Sequence, residues 1–72
     1  MSGEIAARLA AVFRAGAGLL TGALTRLTGD FALVEECVQD AVVRALERWP
    51  SGGIPERPGA WLMTVARNRA LD

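Results

Sequence analysis

Two groups of residues have the types and spacing to recognise another molecule. Glu36, Asp40 and Glu47 recur at intervals of four and seven with Gln39 beside them, which on a helix draws them into one stripe. Carboxylates and an amide aligned in this way form oriented, charge-assisted hydrogen bonds with arginines, so the stripe fits a basic partner. A plain solvated helix face has the same pattern, and periodicity by itself does not choose between them. The second group is Arg67-Asn68-Arg69 near the end of the chain, where arginines suit phosphate. The charge is divided to match. From Phe31 to Pro50 there are four acids and two arginines, net minus two, and from Arg57 to Asp72 three arginines and one acid, net plus two.

Bond-making chemistry has no comparable support. Cys37 is the single cysteine and the chain contains no histidine, so a Cys–His nucleophile pair, a disulfide and a Cys/His zinc site are all excluded. Gly16, Gly18 and Gly22 fall inside a helical pattern, and Gly52-Gly53 lacks the lysine and spacing of a phosphate cradle. The sequence therefore predicts no enzyme and no cofactor, with Cys37 serving as a small apolar side chain on a helix flank.

These residues need helices to position them. The chain has 72 residues, enough for one small core, with 51% hydrophobic and 22% charged residues, well away from the composition of disorder. Ile5, Leu9, Val12, Phe13, Leu19, Leu20, Leu24 and Leu27 step by threes and fours, predicting one long helix over 4–28 with a weak, glycine-rich centre, the alternatives being a helix that bends or two shorter ones. Thr28-Gly29-Asp30 reads as a stop and a new cap. A second helix over 31–49 turns Val34, Val38, Ala41, Val42, Ala45, Leu46 and Trp49 inward and ends at Pro50. After a loop from Pro50 to Gly59, a third helix over 59–71 contributes Trp61, Leu62, Val65, Ala66 and Leu71. The expectation is an all-α, small three-helix bundle, with a core of Leu9, Val12, Phe13, Leu20, Leu24, Val34, Val38, Val42, Leu62 and Val65.

Eight arginines balance eight acids, so any nucleic-acid binding is local and not driven by a global basic field. Glu4, Arg8 and Arg14 interrupt the apolar N-terminal pattern, which argues against a signal peptide and a membrane span and for the cytoplasm. The helical pattern runs to Asp72 without a terminating glycine, which reads as part of something longer.

Four blocks then carry a resemblance: Leu27-Thr28-Gly29-Asp30, Val34-Glu35-Glu36-Cys37-Val38-Gln39-Asp40, Ala45-Leu46-Glu47-Arg48-Trp49, and Ala60 to Asp72 with its Trp-Leu-x-x-x-Ala-x-Asn pattern. In order and spacing the chain resembles region 2 of the extracytoplasmic-function (ECF) sigma factors, from about Ala7 to Asp72. Arg48-Trp49-Pro50 and the short Gly-Ile-Pro loop are similar to the ECF subgroup with an added C-terminal domain. The resemblance implies a transcription initiation factor domain, covering 1–72, that docks on RNA polymerase core and recognises and melts the promoter minus-ten element. Region 4, the helix-turn-helix for the minus-35 element, is absent from this chain.

By position, Glu36, Gln39 and Asp40 take the family's contact with the clamp coiled coil of the beta-prime subunit, with Asp40 standing where the family most often has glutamate. The resemblance assigns DNA binding to Trp49, Arg57, Trp61, Arg67, Asn68 and Arg69. A base of the non-template strand is extruded into a pocket formed by the Gly52 to Arg57 loop, with Trp49 beside it and Asn68 reading the base edge. Trp61 fits the core by its spacing, and the family places aromatics near it for strand separation. Arg67 and Arg69 flank Asn68 toward phosphate. A C-terminal regulatory domain or an anti-sigma factor is a further implied partner. The competing reading is a small helical interaction or dimerisation module without DNA binding. A self-contained helix-turn-helix is set aside because ten residues separate the second and third helices, where that motif uses three or four.

Overall fold

The break between the first two helices is set by Thr28, Gly29 and Asp30. Gly29 adopts φ 72°, a left-handed conformation natural to glycine, and its N–H donates to the Thr25 carbonyl at 2.7 Å. Thr28 Oγ1 donates to the Leu24 carbonyl at 2.9 Å and accepts from the Asp30 N–H at 3.2 Å. Asp30 then caps the next helix, its Oδ1 accepting from the Leu33 N–H at 3.1 Å. In this computed structural model, which describes residues 2–72 apart from the side chains of Ser2, Phe13 and Ala17, the turn joins α1 (Ser2–Thr28) to α2 (Phe31–Gly52), and α3 spans Pro58–Leu71.

α1 is hydrogen-bonded as one helix, but its axis turns by 65° between Gly3–Gly16 and Gly18–Thr28. The described residues thus form four helical segments and not a bundle of three straight ones. A Cβ on Gly16 or Gly18 would meet nothing within 4 Å. Close packing therefore does not demand glycine there, and the bend is the result of a locally weak helix, each glycine costing about 1 kcal/mol relative to alanine. Among the described residues no single helix is long and apolar enough to cross a membrane.

α2 passes the expected stop at Trp49 and continues through Pro50 to Gly52. The N–H that Pro50 lacks would serve the carbonyl of Leu46; both residues are exposed, so water can take its place. The helix ends instead at Gly53, at φ 89°, whose N–H donates to the Trp49 carbonyl at 2.9 Å. α3 begins before Ala60 because Pro58 fits the first helical position, where no donor is needed. The α2–α3 connection is therefore the five residues Gly53 to Arg57. That removes the ten-residue spacing as a reason to set aside a helix-turn-helix.

α2 lies between the other elements, packed on both α1 and α3. Its buried line is Val34, Cys37, Ala41, Ala45 and Trp49, meeting Ile5, Leu9 and Leu24 of α1 and Leu62 and Ala66 of α3. Three small side chains in succession on this line let both neighbours approach closely. The expected inward face is accordingly rotated. Cys37 is fully buried, not on a flank, whereas Leu46 is 45% exposed. Val12, Leu20, Val38, Val42 and Val65 are only partly buried around the core, Leu19, Leu27 and Leu71 are exposed, and the Phe13 side chain lies outside the described residues.

Candidate functional site

Rotating the buried face of α2 toward Cys37, Ala41 and Ala45 decides what its outer face presents. Glu36 and Gln39 are exposed and form no side-chain hydrogen bond or ion pair among the described residues. Asp40 differs from them. Its Oδ2 accepts from Arg44 Nε at 3.2 Å and lies 4.0 Å from Arg69 Nε on α3, so this carboxylate turns toward the neighbouring helix. Between the polar groups, Val43 is 51% exposed and Leu46 45% exposed. Gln39, Val43 and Leu46 follow at i, i+4 and i+7 and share one ridge. Sequence reasoning put Leu46 inside and passed over Val43. The signal was available, since α2 carries more large aliphatics than one buried line can absorb. Beside Gln39 a shallow groove is lined by Thr21, Phe31, Glu35 and Val38. The outer face thus combines acids, an amide and desolvatable aliphatic surface, the mixture that a specific protein contact uses.

On its other flank α2 forms a polar cleft with α3, lined by Arg44, Arg48, Val65, Asn68, Arg69 and Asp72. Two of the sequence-predicted nucleic-acid residues, Asn68 and Arg69, meet here. Arg67 is exposed but is not part of the cleft, because two residue steps turn it about 200° around the helix from Val65, away from the side shared by Asn68 and Arg69. Arg44 and Arg48 were missed by sequence reasoning, although two arginines at i, i+4 on an otherwise acidic helix were a visible hint.

The aromatic pair is at the opposite end of α3. Trp49 is 2% exposed and meets the half-buried Trp61 edge to face, with ring centroids 5.4 Å apart and an interplanar angle of 64°. The Trp49 Nε1–H is buried without an acceptor among the described residues. Leaving a donor in that state costs about 1–3 kcal/mol. Arg57, exposed, is the N-cap residue of α3 and makes no side-chain capping bond, so its guanidinium is not committed to the helix. Asn68 is eleven residues farther along, about 16 Å of helical rise from Arg57. The expected single pocket of Trp49, loop and Asn68 is therefore resolved into two places: an indole-backed loop at the start of α3 and a guanidinium-lined cleft near its end.

Comparison with known proteins adds to this geometry. The family model for Sigma-70 region 2 matches residues 12–72. The ECF RNA polymerase sigma factor SigL of Mycobacterium tuberculosis is 41% identical over 68 residues, 93% of this chain and 38% of SigL. An uncharacterised protein of Rhizobium meliloti is 47% identical over 51 residues, 71% of this chain and 12% of that protein. The chain thus spans well under half the length of either relative. No solved structure matches it.

Proposed function

Because this chain belongs to the Sigma-70 region 2 family, whose domains in sigma factors bind core polymerase and the minus-ten element, we propose that it is the non-enzymatic module by which an ECF sigma factor docks on the polymerase clamp and holds the melted minus-ten strand. The observation that carries this reading is the separation of two surfaces on one scaffold. The acid-and-amide ridge with Glu36 and Gln39 faces outward from α2, and the basic surface with Arg57, Asn68 and Arg69 runs along the connection and α3.

A basic clamp helix is the partner that the first surface suits. Its arginines gain oriented hydrogen bonds from Glu36 and Gln39, while Val43 and Leu46 supply area to exclude water. Asp40 contributes at the edge, once its weak internal pair with Arg44 is exchanged for a clamp arginine. The single-stranded promoter DNA contacts follow from position on α3. Arg57 meets phosphate at the connection, and Trp49 and Trp61 form the rigid floor under it. Trp49 is a positioning residue in this account, since at 2% exposure its ring offers no face for stacking. Asn68 offers both a donor and an acceptor to a base edge, and Arg67 and Arg69 meet the backbone on either side. Such a role places the protein in the cytoplasm, with promoter DNA and polymerase core as partners and a C-terminal regulatory domain or anti-sigma factor as the means of control.

Binding of the 72-residue chain to single-stranded oligonucleotides varied at each minus-ten position tests the DNA half. Asn68→Ala should alter the preference at one position by about tenfold, the scale of one good amide–base pair, whereas Arg67→Ala should weaken all sequences alike. A uniform loss in the Asn68 variant, or none, would remove base reading from this residue.

A further inference from the structure

The cleft between α2 and α3 contains more positive charge than the family resemblance assigns. Arg44 and Arg48 are successive turns of one α2 flank, and Arg69 and Asn68 face them from α3. Three guanidiniums gather there beside the carboxylates of Asp40 and Asp72, with an amide donor at the cleft wall. We infer that this cleft is a backbone-phosphate site in which Arg44 and Arg48, with Arg69, hold a nucleic-acid strand independently of its sequence. That the anion is nucleic acid rests on the reading of α3 as a DNA face; that the cleft takes phosphate rests on its own side chains.

The two α2 arginines are held differently. Arg44 already donates to Asp40 through Nε at 3.2 Å, an arrangement that leaves its terminal nitrogens to donate elsewhere. Arg69, 4.0 Å from the same carboxylate, is drawn toward the same point from the other helix. Asp40 thus acts as a hinge post for two guanidiniums. The pair is too exposed to lock them, with side chains 47% and 35% accessible, so an entering phosphate competes with one weak surface interaction. Arg48 makes no ion pair among the described residues and is the most available of the three. Arginine suits this task because its planar fork matches two phosphate oxygens at once.

Asp40 has a second consequence. The same carboxylate borders the clamp-facing ridge, so a clamp arginine that engages Asp40 takes it from Arg44 and Arg69 and frees both for phosphate. Docking on polymerase and grip on DNA are thereby linked through one side chain.

The test is titration of the 72-residue chain with oligodeoxythymidylate, which carries no minus-ten sequence, and with its uncharged methylphosphonate analogue, following the arginine Nε–H signals by NMR. The phosphodiester should shift the signals of Arg44, Arg48 and Arg69, and the uncharged strand should not. Arg44→Ala with Arg48→Ala should flatten the slope of log affinity against log salt by about 1.4, two phosphate contacts at about 0.7 each for a single strand. Asp40→Asn should tighten binding by about twofold to fivefold, the scale of one exposed ion pair. Unmoved cleft signals, or an unchanged slope in the double variant with its helix content intact, would overturn the phosphate site. Loss of base preference in the Asn68→Ala variant bears on minus-ten reading alone, so the two assignments fail separately.

Discussion

The two sides of α2 are built from the same helix and obey opposite rules. On one side Val34, Cys37, Ala41 and Ala45 are fully buried and small, and α1 and α3 close down on them. On the other, Glu36, Gln39, Val43, Leu46 and Glu47 are exposed, and two of the five are large aliphatics with no internal work to do. Single exposed aliphatics are ordinary on a protein surface, but here Val43 and Leu46 stand on one ridge with Gln39. The mixture found here teaches that the outer face is a surface in reserve: removing its side chains should leave the fold alone and remove a partner.

The largest expected effect breaks the buried side. Ala41→Leu adds volume where nothing is accessible, and overpacking of this kind costs typically about 1–3 kcal/mol. In a domain this small that is a large share of the total stability, so the urea midpoint should fall clearly. Next is the boundary between the two sides, where Val38→Ala should cost about 1 kcal/mol because the side chain is partly buried against the core. A loss of only a few tenths would move Val38 to the outer surface. The smallest effect sharpens the contrast: Leu46→Ala, despite deleting a large aliphatic, should stay within about 0.5 kcal/mol of the parent, since Leu46 is 45% exposed. A cost comparable to that of Ala41→Leu would mean that the two sides are not distinct.

Much of this was legible in the sequence, for identifiable reasons. The all-helical class, the Gly29–Asp30 break and the positions of Leu9, Leu24, Val34 and Leu62 follow from apolar periodicity and capping chemistry, which are local properties. What failed were properties settled by neighbours. Cys37, expected on a helix flank, is fully buried because two helices press on it, and a small side chain carries little hydrophobic signal of its own. Pro50 read as a stop, yet it lies within the last turn, where one missing donor is tolerated. The bend in α1 was present as a glycine-weakened centre, but its 65° angle was not. The outward amide and acids were recognisable by spacing and resemblance. The cleft with Arg44 and Arg48 depends on how α2 faces α3, which no single-helix pattern encodes.

Binding and stability measured in the same variant test the outer ridge of α2 most directly. Affinity of the 72-residue chain for the isolated clamp coiled coil of the polymerase beta-prime subunit would be measured for the parent and for Glu36→Ala with Gln39→Ala, alongside the urea midpoint of each. Neither residue makes a side-chain hydrogen bond or ion pair among the described residues and both are exposed, so stability should be unchanged within about 0.5 kcal/mol. Affinity should fall at least about tenfold, the loss of two charge-assisted contacts. Equal affinity in parent and variant would contradict the account, and so would a loss of affinity that tracked a loss of stability.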